Sequence, residues 1–138
     1  MAAMIADANV LLRLITRTPE PLFLAARDFL LEVEKKGQRV QVHPMHVAEA
    51  VYVLEGRVYG LSRNVAAREL LTLLEARVFE PVDGAVLVKA LRAYPETGLD
   101  FPDVFLLAWA EEYGSQVVSF DRGLQNAGMM VLNPADAG

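Results

Sequence analysis

Short apolar runs and longer segments with helical spacing alternate along the chain. The apolar runs lie in "MIADA", "RVQVHP", "RVFEP", "QVVSFD" and "MMVLNP", and each of them ends near Asp, Pro or Asn. Runs of this length, bounded by such residues, are typical of buried β-strands. Because helical segments separate most of the runs, the pattern predicts an α/β fold with a parallel sheet and right-handed crossovers.

The intervening segments carry the signals of amphipathic helices. From Pro21 to Lys36 the apolar residues recur at i, i+3 and i+4, and Gly37 follows as a stop signal. Similar spacing, with Pro, Ser or Gly at the start, predicts four more helices over Pro44–Tyr59, Ser62–Ala76, Gly84–Tyr94 and Pro102–Tyr113. The part "VFLLAWA" of the last helix is apolar all round, which predicts burial on both sides and a homodimer interface near it.

Length and composition favour a single soluble domain in the cytoplasm. A chain of 138 residues fits one domain over residues 1–138 and is expected to bury roughly 65–70% of its unfolded surface. There is no cysteine, which excludes a disulfide framework and thiolate metal sites. No apolar run approaches the ~20 residues of a membrane helix, and the N-terminus lacks the basic flank of a secretion signal. The net charge of −5 argues against the broad basic face of a DNA-binding module.

Four acidic residues are predicted to meet at one edge of the sheet. In a parallel α/β fold, the carboxyl ends of the strands and the N-termini of the following helices share an edge, where ligands bind. Asp7 ends the first strand, and Asp121 ends the strand "QVVSF". Glu49 lies in the first or second turn of the helix after "RVQV", and Asp103 lies in the first turn of the helix that Pro102 opens.

The aspartates also have an ordinary structural explanation. Asp7 or Asn9 can cap the helix after the first strand, and Asp121 can cap the short helical turn of "RGLQNAG". Asp100 and Asp103, with a proline between them, resemble a capping box. The residues themselves therefore leave capping and chemistry open at these positions.

Glu49 fits a purely structural role less well. It lies in "VAEAVYVL", a helical segment that is apolar on nearly every side, so we expect its side chain to be buried. An ionised carboxylate that is buried without a partner costs several kcal/mol. Arg13 and Arg57 are candidate partners, and a bound cation is the alternative.

A cluster of these four acids predicts a divalent cation. Two carboxylates ~4 Å apart repel each other by roughly 4 kcal/mol at an effective dielectric constant of about 20. A helix cap contributes only about 1 kcal/mol, so capping alone does not hold such a cluster together. Oxygen ligands without cysteine suit Mg²⁺ or Mn²⁺ rather than zinc.

Four motifs follow one another in the order "MIADANVLLRL", "VHPMHVAEAVYVL", "LDFPDVFLLAWA" and "VVSFDRGL". In this order they resemble the PIN-domain ribonucleases, in particular the VapC-type toxins of toxin–antitoxin pairs, from about Met4 to Pro134. The resemblance implies a three-layer, Rossmann-like PIN fold, with a central parallel sheet of about five short strands flanked by helices. It also implies a ribonuclease that needs Mg²⁺ or Mn²⁺, cleaves RNA and is blocked by a small antitoxin protein.

The resemblance assigns roles to the acidic residues. Asp7, Asp103 and Asp121 match the acids that bind the metal directly or through water. Glu49 matches a further metal ligand or the group that orients the attacking water. In "DFPD" we prefer Asp103 to Asp100 as the ligand, because the apolar helix begins directly after it, as it does in the family.

Three polar residues near the acids complete the predicted site. Asn9 and Ser119 match family positions, and there they would orient metal ligands or the scissile phosphate. Arg122 follows Asp121 directly and is a candidate phosphate contact.

Other α/β proteins with acidic residues at the sheet edge fit the sequence less well. A receiver domain needs an acidic pair after the first strand, and a dehalogenase-type phosphatase needs D-x-D there, where Asn9 replaces the second acid. The remaining alternative is a catalytically inactive PIN-like module that binds other proteins. It predicts that divalent ions leave the stability of the protein unchanged.

Overall fold

Strands and helices alternate along the chain, as the hydrophobic pattern predicts. The computed structural model describes residues 2–127 and 131–136, which contain five β-strands and seven α-helices. The strands are β1 (Met4–Ile5), β2 (Val40–Val42), β3 (Phe79–Pro81), β4 (Val117–Val118) and β5 (Val131–Leu132). The helices are α1 (Ala8–Thr16), α2 (Glu20–Lys35), α3 (Pro44–Glu55), α4 (Arg63–Leu74), α5 (Gly84–Ala93), α6 (Phe101–Tyr113) and α7 (Arg122–Asn126). Single 3₁₀ turns occupy Tyr94–Glu96 and Pro134–Asp136.

All strand pairs in the described residues are parallel, which confirms the predicted α/β class. One set has the order β1-β2-β3, with Met4 opposite Val40 and Val40 opposite Phe79. The other set pairs β4 with β5, with Val117 opposite Val131. The fifth apolar run of the sequence is described only from Val131 onward, and its positions 129–130 lie outside the described residues.

The chain divides into two compact units between Gly84 and Ala85. In the first unit, α1 packs against α2, α3 and α4 beside the three-stranded set. In the second unit, α6 contacts β4 and α7 contacts β5. The prediction of one domain over residues 1–138 stays a prediction.

The core of the first unit comes from one apolar stripe on each helix. The stripes follow the i, i+3, i+4 spacing that places side chains on a single helix face. On three of these helices the buried residues are Ala8, Leu11 and Leu12 of α1, Val47, Ala50, Val51 and Leu54 of α3, and Ala66, Ala67, Leu70 and Leu74 of α4. Polar residues on the opposite faces of these helices therefore remain accessible.

Most predicted helix bounds lie within one or two residues of the structure, but the predicted end of α3 is wrong. The sequence predicts a helix to Tyr59, whereas α3 ends at Glu55. After it the chain turns back, because Leu61 N–H donates to the carbonyl oxygen of Leu54 and Gly60 has a φ of 58°. Glycine adopts this left-handed conformation without steric cost, so the turn forms where the helix would otherwise continue.

The predicted burial of α6 on both sides is also wrong for the chain by itself. Phe101, Val104, Ala108 and Ala110 are buried, but Leu106 on the same helix remains 40% exposed. An apolar composition all round therefore does not mean that every face is covered. Among the described helices, none combines the length and the apolar character needed to cross a membrane.

Candidate active site

Asp7 joins the end of β1 to the start of α1 and caps that helix. Its backbone is extended, and its Oδ1 accepts a hydrogen bond from the Val10 N–H at 3.2 Å. The capping interpretation is therefore correct for this residue. A carboxylate has two oxygens, and the cap uses only Oδ1, so Asp7 can cap the helix and still offer Oδ2 to a cation. Asp7 and the nearby Asn9 are both exposed to solvent.

Glu49 lies on the exposed face of α3, which corrects the expectation that it is buried. The buried stripe of α3 runs through Val47, Ala50, Val51 and Leu54, and Glu49 lies on the opposite side. Its helical neighbours Met45 and Tyr52 are 75% and 83% exposed. Some of the apolar residues near Glu49 in the sequence are thus exposed to solvent. Because Glu49 is not buried, the cost of burying its charge no longer supports a metal-binding role.

Asp100 and Asp103 have different roles at the start of α6. Asp100 is the N-cap, and its Oδ1 accepts a hydrogen bond from the Asp103 N–H at 3.3 Å. Asp103 lies in the first turn and is partly buried. The cap uses only Oδ1 of Asp100, so the choice of Asp103 over Asp100 as the metal ligand stays a prediction.

The Asp103 carboxyl is destabilised in its charged form. Burial is the largest cause that raises the pKa of Asp103, followed by a hydrogen bond with Asp100 and by the negative charges of Asp100 and Asp121. Asp100, three residues away along the chain, and Asp121, remote in sequence, are thus both close enough to the Asp103 carboxylate to repel it. The sequence predicts Asp100 as a capping partner of Asp103 or as a rival ligand, and its electrostatic effect on Asp103 was missed.

Asp121 caps α7 and is itself positioned by Ser119. Its Oδ1 accepts a hydrogen bond from the Gly123 N–H at 2.7 Å, and its own N–H donates to the Ser119 Oγ at 2.9 Å. Ser119 therefore fixes the backbone from which the Asp121 carboxylate projects. The second oxygen of Asp121 is not needed for the cap.

Arg122 is exposed and already engaged by polar side chains of its own unit. Its Nη1 donates to the Gln125 Oε1 at 3.1 Å and lies 3.5 Å from the Asp136 Oδ2. Both ends of the ion pair are more than 60% exposed, so the pair contributes little to stability. A phosphate contact by Arg122 stays a prediction.

The predicted site residues thus fall into two groups, each described within its own unit. Asp7, Asn9 and Glu49 belong to the unit that ends at Gly84. Ser119, Asp121 and Asp103 belong to the unit that begins at Ala85, together with Asp100. Across residues 2–127 and 131–136, no group of three or more His, Asp or Glu side chains is arranged closely enough to hold a metal ion.

The comparison with known protein families adds the deciding observation. A model of the PIN domain matches residues 4–128. The chain belongs to the PIN-domain family. PIN domains are generally nucleases. No curated protein and no solved structure gives a significant match to the chain.

Membership of the PIN family confirms the predicted fold class, an α/β fold with short parallel strands and flanking helices. It also agrees with the chemistry of the acidic residues. The predicted site residues Asp7, Asn9, Glu49, Asp103, Ser119 and Asp121 offer carboxylate, amide and hydroxyl oxygens, which are the ligands that Mg²⁺ and Mn²⁺ prefer. Burial and, after it, the negative charges of Asp100 and Asp121 raise the pKa of Asp103, and a divalent cation would stabilise its charged form.

Proposed function

We propose that this PIN domain is a metal-dependent ribonuclease that hydrolyses phosphodiester bonds of RNA. The observation that supports it most directly is the unfavourable charged form of Asp103, which burial and the nearby negative charges of Asp100 and Asp121 destabilise. Carboxylates that repel one another without a partner cost stability, and a bound divalent cation turns the same arrangement into a favourable one. Family membership supplies the reaction class.

In this proposal each acidic residue has a role toward Mg²⁺ or Mn²⁺. Asp7, Asp103 and Asp121 would hold the ion directly or through water, and Asp7 and Asp121 would use the oxygen that the helix cap leaves free. Glu49 is a further ligand or orients the attacking water. When bound, the ion would supply Lewis-acid chemistry, which would make water a better nucleophile and stabilise the charge that develops on the phosphate oxygens.

The neighbouring polar residues position the reactants. Ser119 holds the backbone of Asp121 in place, and Asn9 orients a ligand or the scissile phosphate. Arg122 exchanges its exposed contact with Asp136 for a phosphate oxygen of the substrate. Water attacks phosphorus, the phosphorus–oxygen bond to the leaving nucleotide breaks, and the leaving oxygen takes up a proton.

We further propose, from the resemblance to VapC-type toxins, that the protein is the toxin of a toxin–antitoxin pair. This proposal includes a small antitoxin protein as partner, a homodimer and a cytoplasmic location. Its support is the order of the motifs around Asp7, Glu49, Asp103 and Asp121.

A catalytically inactive, protein-binding PIN-like module is the second candidate. Three aspartates make helix-capping hydrogen bonds, which gives each of them a structural reason to be present: Asp7, Asp100 and Asp121. In this alternative these three aspartates act only as helix caps.

Cleavage of single-stranded RNA by the intact protein separates the two candidates. The nuclease proposal predicts cleavage with Mg²⁺ or Mn²⁺, none with a chelator, and loss of cleavage in Asp121→Asn, which retains a capping side chain. Asp28→Asn is the matched control, because Asp28 is exposed and, in the part of the chain that the structure describes, pairs only with the adjacent Arg27. Equal cleavage by wild type and Asp121→Asn, or no cleavage with any divalent ion, would favour the inactive module.

A further inference from the structure

The unit that begins at Ala85 contains a cavity that none of the roles above uses. Its volume is about 470 Å³, and residues of α5, α6, α7 and the segment leading into α6 line it. Cavities that bind small molecules typically measure about 300–1,000 Å³, so this one has the capacity for a ligand of nucleoside size.

The cavity wall passes directly beside one of the candidate catalytic acids. Gly123 lines the cavity, and its N–H donates to the Asp121 Oδ1. A Cβ placed on Gly123 would lie 3.0 Å from that oxygen and 3.6 Å from Cδ2 of Leu99, another lining residue. Leu99 in turn directly precedes Asp100. A group bound in the cavity would therefore lie next to Asp121 without contacting it, since none of the candidate catalytic acids lines the cavity.

The charges around the cavity favour a neutral ligand over a phosphate. The Lys89 Nζ is 2.6 Å from the Glu111 Oε1, so this cation is already paired. Glu96 adds a second carboxylate to the lining, which leaves one cation against two anions. The net negative charge of the lining would repel a phosphate group, whereas it would not repel an uncharged planar group.

The remaining lining suits a nucleobase. Leu99, Val104 and Leu107 supply apolar walls, against which a flat ring can pack. The carboxamide of Asn126 offers both a donor and an acceptor and has no hydrogen-bond partner within residues 2–127 and 131–136. Enzymes that act on single nucleotides commonly hold the base between apolar side chains and recognise its edge by hydrogen bonds.

We propose that this cavity binds one nucleobase of the RNA and thereby selects the nucleotide beside the bond that is cleaved. The proposal rests on the ribonuclease function proposed above and extends it to substrate selection. Asn126 contacts the edge of the base, the apolar side chains contact its faces, and the acidic residues act on the adjacent phosphate.

A plugged cavity tests this inference in the intact protein. Ala93 is the last residue of α5, is exposed and lines the cavity, so Ala93→Phe fills it from the rim. Ala76→Phe is the matched control, because Ala76 is also exposed and lies away from the cavity lining. Each protein is incubated with Mn²⁺ and a pool of single-stranded RNA of random sequence, and the new ends are sequenced.

We expect wild type and Ala76→Phe to share a base preference of roughly tenfold at one position near the cut. Hydrogen bonds to the edge of one base typically give discrimination of this size. In Ala93→Phe the preference should fall to about twofold or less while cleavage continues. An unchanged preference in Ala93→Phe, or no preference in the wild type, would overturn the inference.

Direct binding of nucleosides separates a failure of this inference from a failure of the nuclease proposal. The methyl NMR signals of Leu99, Val104 and Leu107 are followed while each of the four common ribonucleosides is added to the full chain. We expect one nucleoside to shift them in wild type and Ala76→Phe but not in Ala93→Phe. No shift with any nucleoside would overturn the inference even if RNA is cleaved. Binding without any RNA cleavage would instead refute the nuclease proposal and leave the cavity assignment standing.

Discussion

Asp100 accepts a hydrogen bond from the backbone N–H of Asp103 at 3.3 Å, and its negative charge also raises the pKa of the Asp103 carboxyl. One residue thus stabilises the helix while destabilising the charged form of its neighbour. The two effects have different chemical origins, because the cap needs an oxygen acceptor and the repulsion needs a charge. Substitutions at this position can therefore separate them.

Asp100→Asn should lower the pKa of Asp103 with little change in stability. Asparagine caps a helix about as well as aspartate, but it carries no charge. Asp100→Ala should lower the same pKa and also cost about 1 kcal/mol of the free energy of unfolding, because the cap is lost. The carboxyl ¹³C signal of Asp103, titrated with pH in each variant, gives the pKa. A value that stays unchanged in Asp100→Asn would show that Asp100 does not act on Asp103 through its charge.

Without divalent ions, the contribution of Asp103 should make the protein less stable as the pH rises. Its pKa in the folded state lies above the usual value of 3.8, so the folded protein binds more protons than the unfolded chain in this range. The stabilisation is complete below 3.8 and is lost as the pH rises through the folded-state pKa. Urea unfolding of wild type and Asp103→Asn over this range measures the effect, and the variant should have the flatter profile. If the stability of the two proteins changed equally with pH, the predicted destabilisation of the charged Asp103 carboxyl would be contradicted.

Asp7→Asn should abolish RNA cleavage while preserving the fold. The amide oxygen can still accept the hydrogen bond from Val10 N–H, so the cap is retained, but the negative charge needed for metal binding is lost. We expect at least an approximately 100-fold loss of cleavage, the upper end of the losses seen when only a supporting group is removed. Cleavage rates and circular dichroism of both proteins test this. Full activity in Asp7→Asn would remove Asp7 from the mechanism.

Glu49→Gln should lose activity with almost no effect on stability. Because Glu49 is exposed, its neutralisation should change the free energy of unfolding by no more than about 0.5 kcal/mol. Glu34→Gln is the matched control, since Glu34 is an exposed helical glutamate in the same unit. Denaturant unfolding and RNA cleavage are compared for the three proteins. An active Glu49→Gln, or a control that loses activity equally, would exclude a specific role for Glu49.

The short-range features of the fold could be predicted from the sequence. Ser62 caps α4 by accepting a hydrogen bond from Val65 N–H, as its position before the helix predicts. Parallel strands between the helices followed from the short apolar runs. These features depend on residues only a few positions apart, so local pattern is sufficient to predict them.

Features that depend on distant parts of the chain were less predictable. The early end of α3 accompanies a chain reversal in which Leu61 bonds back to Leu54. The exposure of Glu49 depends on which face of α3 packs against the rest of the first unit. The sequence does not show which face this is, because apolar residues such as Tyr52 also occur on the exposed face. The repulsion between Asp103 and Asp121 is likewise set by tertiary structure.

The central claim is that the acidic residues bind a divalent cation in the folded protein. The melting temperature of the intact protein, measured with Mn²⁺ and then with excess chelator, tests it most directly. A ligand that binds only the folded state stabilises it by about 2.7 kcal/mol at 100 times its dissociation constant. Mn²⁺ should therefore raise the melting temperature of the wild type, the chelator should reverse the rise, and Asp103→Asn should show little of it. Equal melting temperatures with Mn²⁺ and with chelator would contradict the claim, as would an undiminished rise in Asp103→Asn.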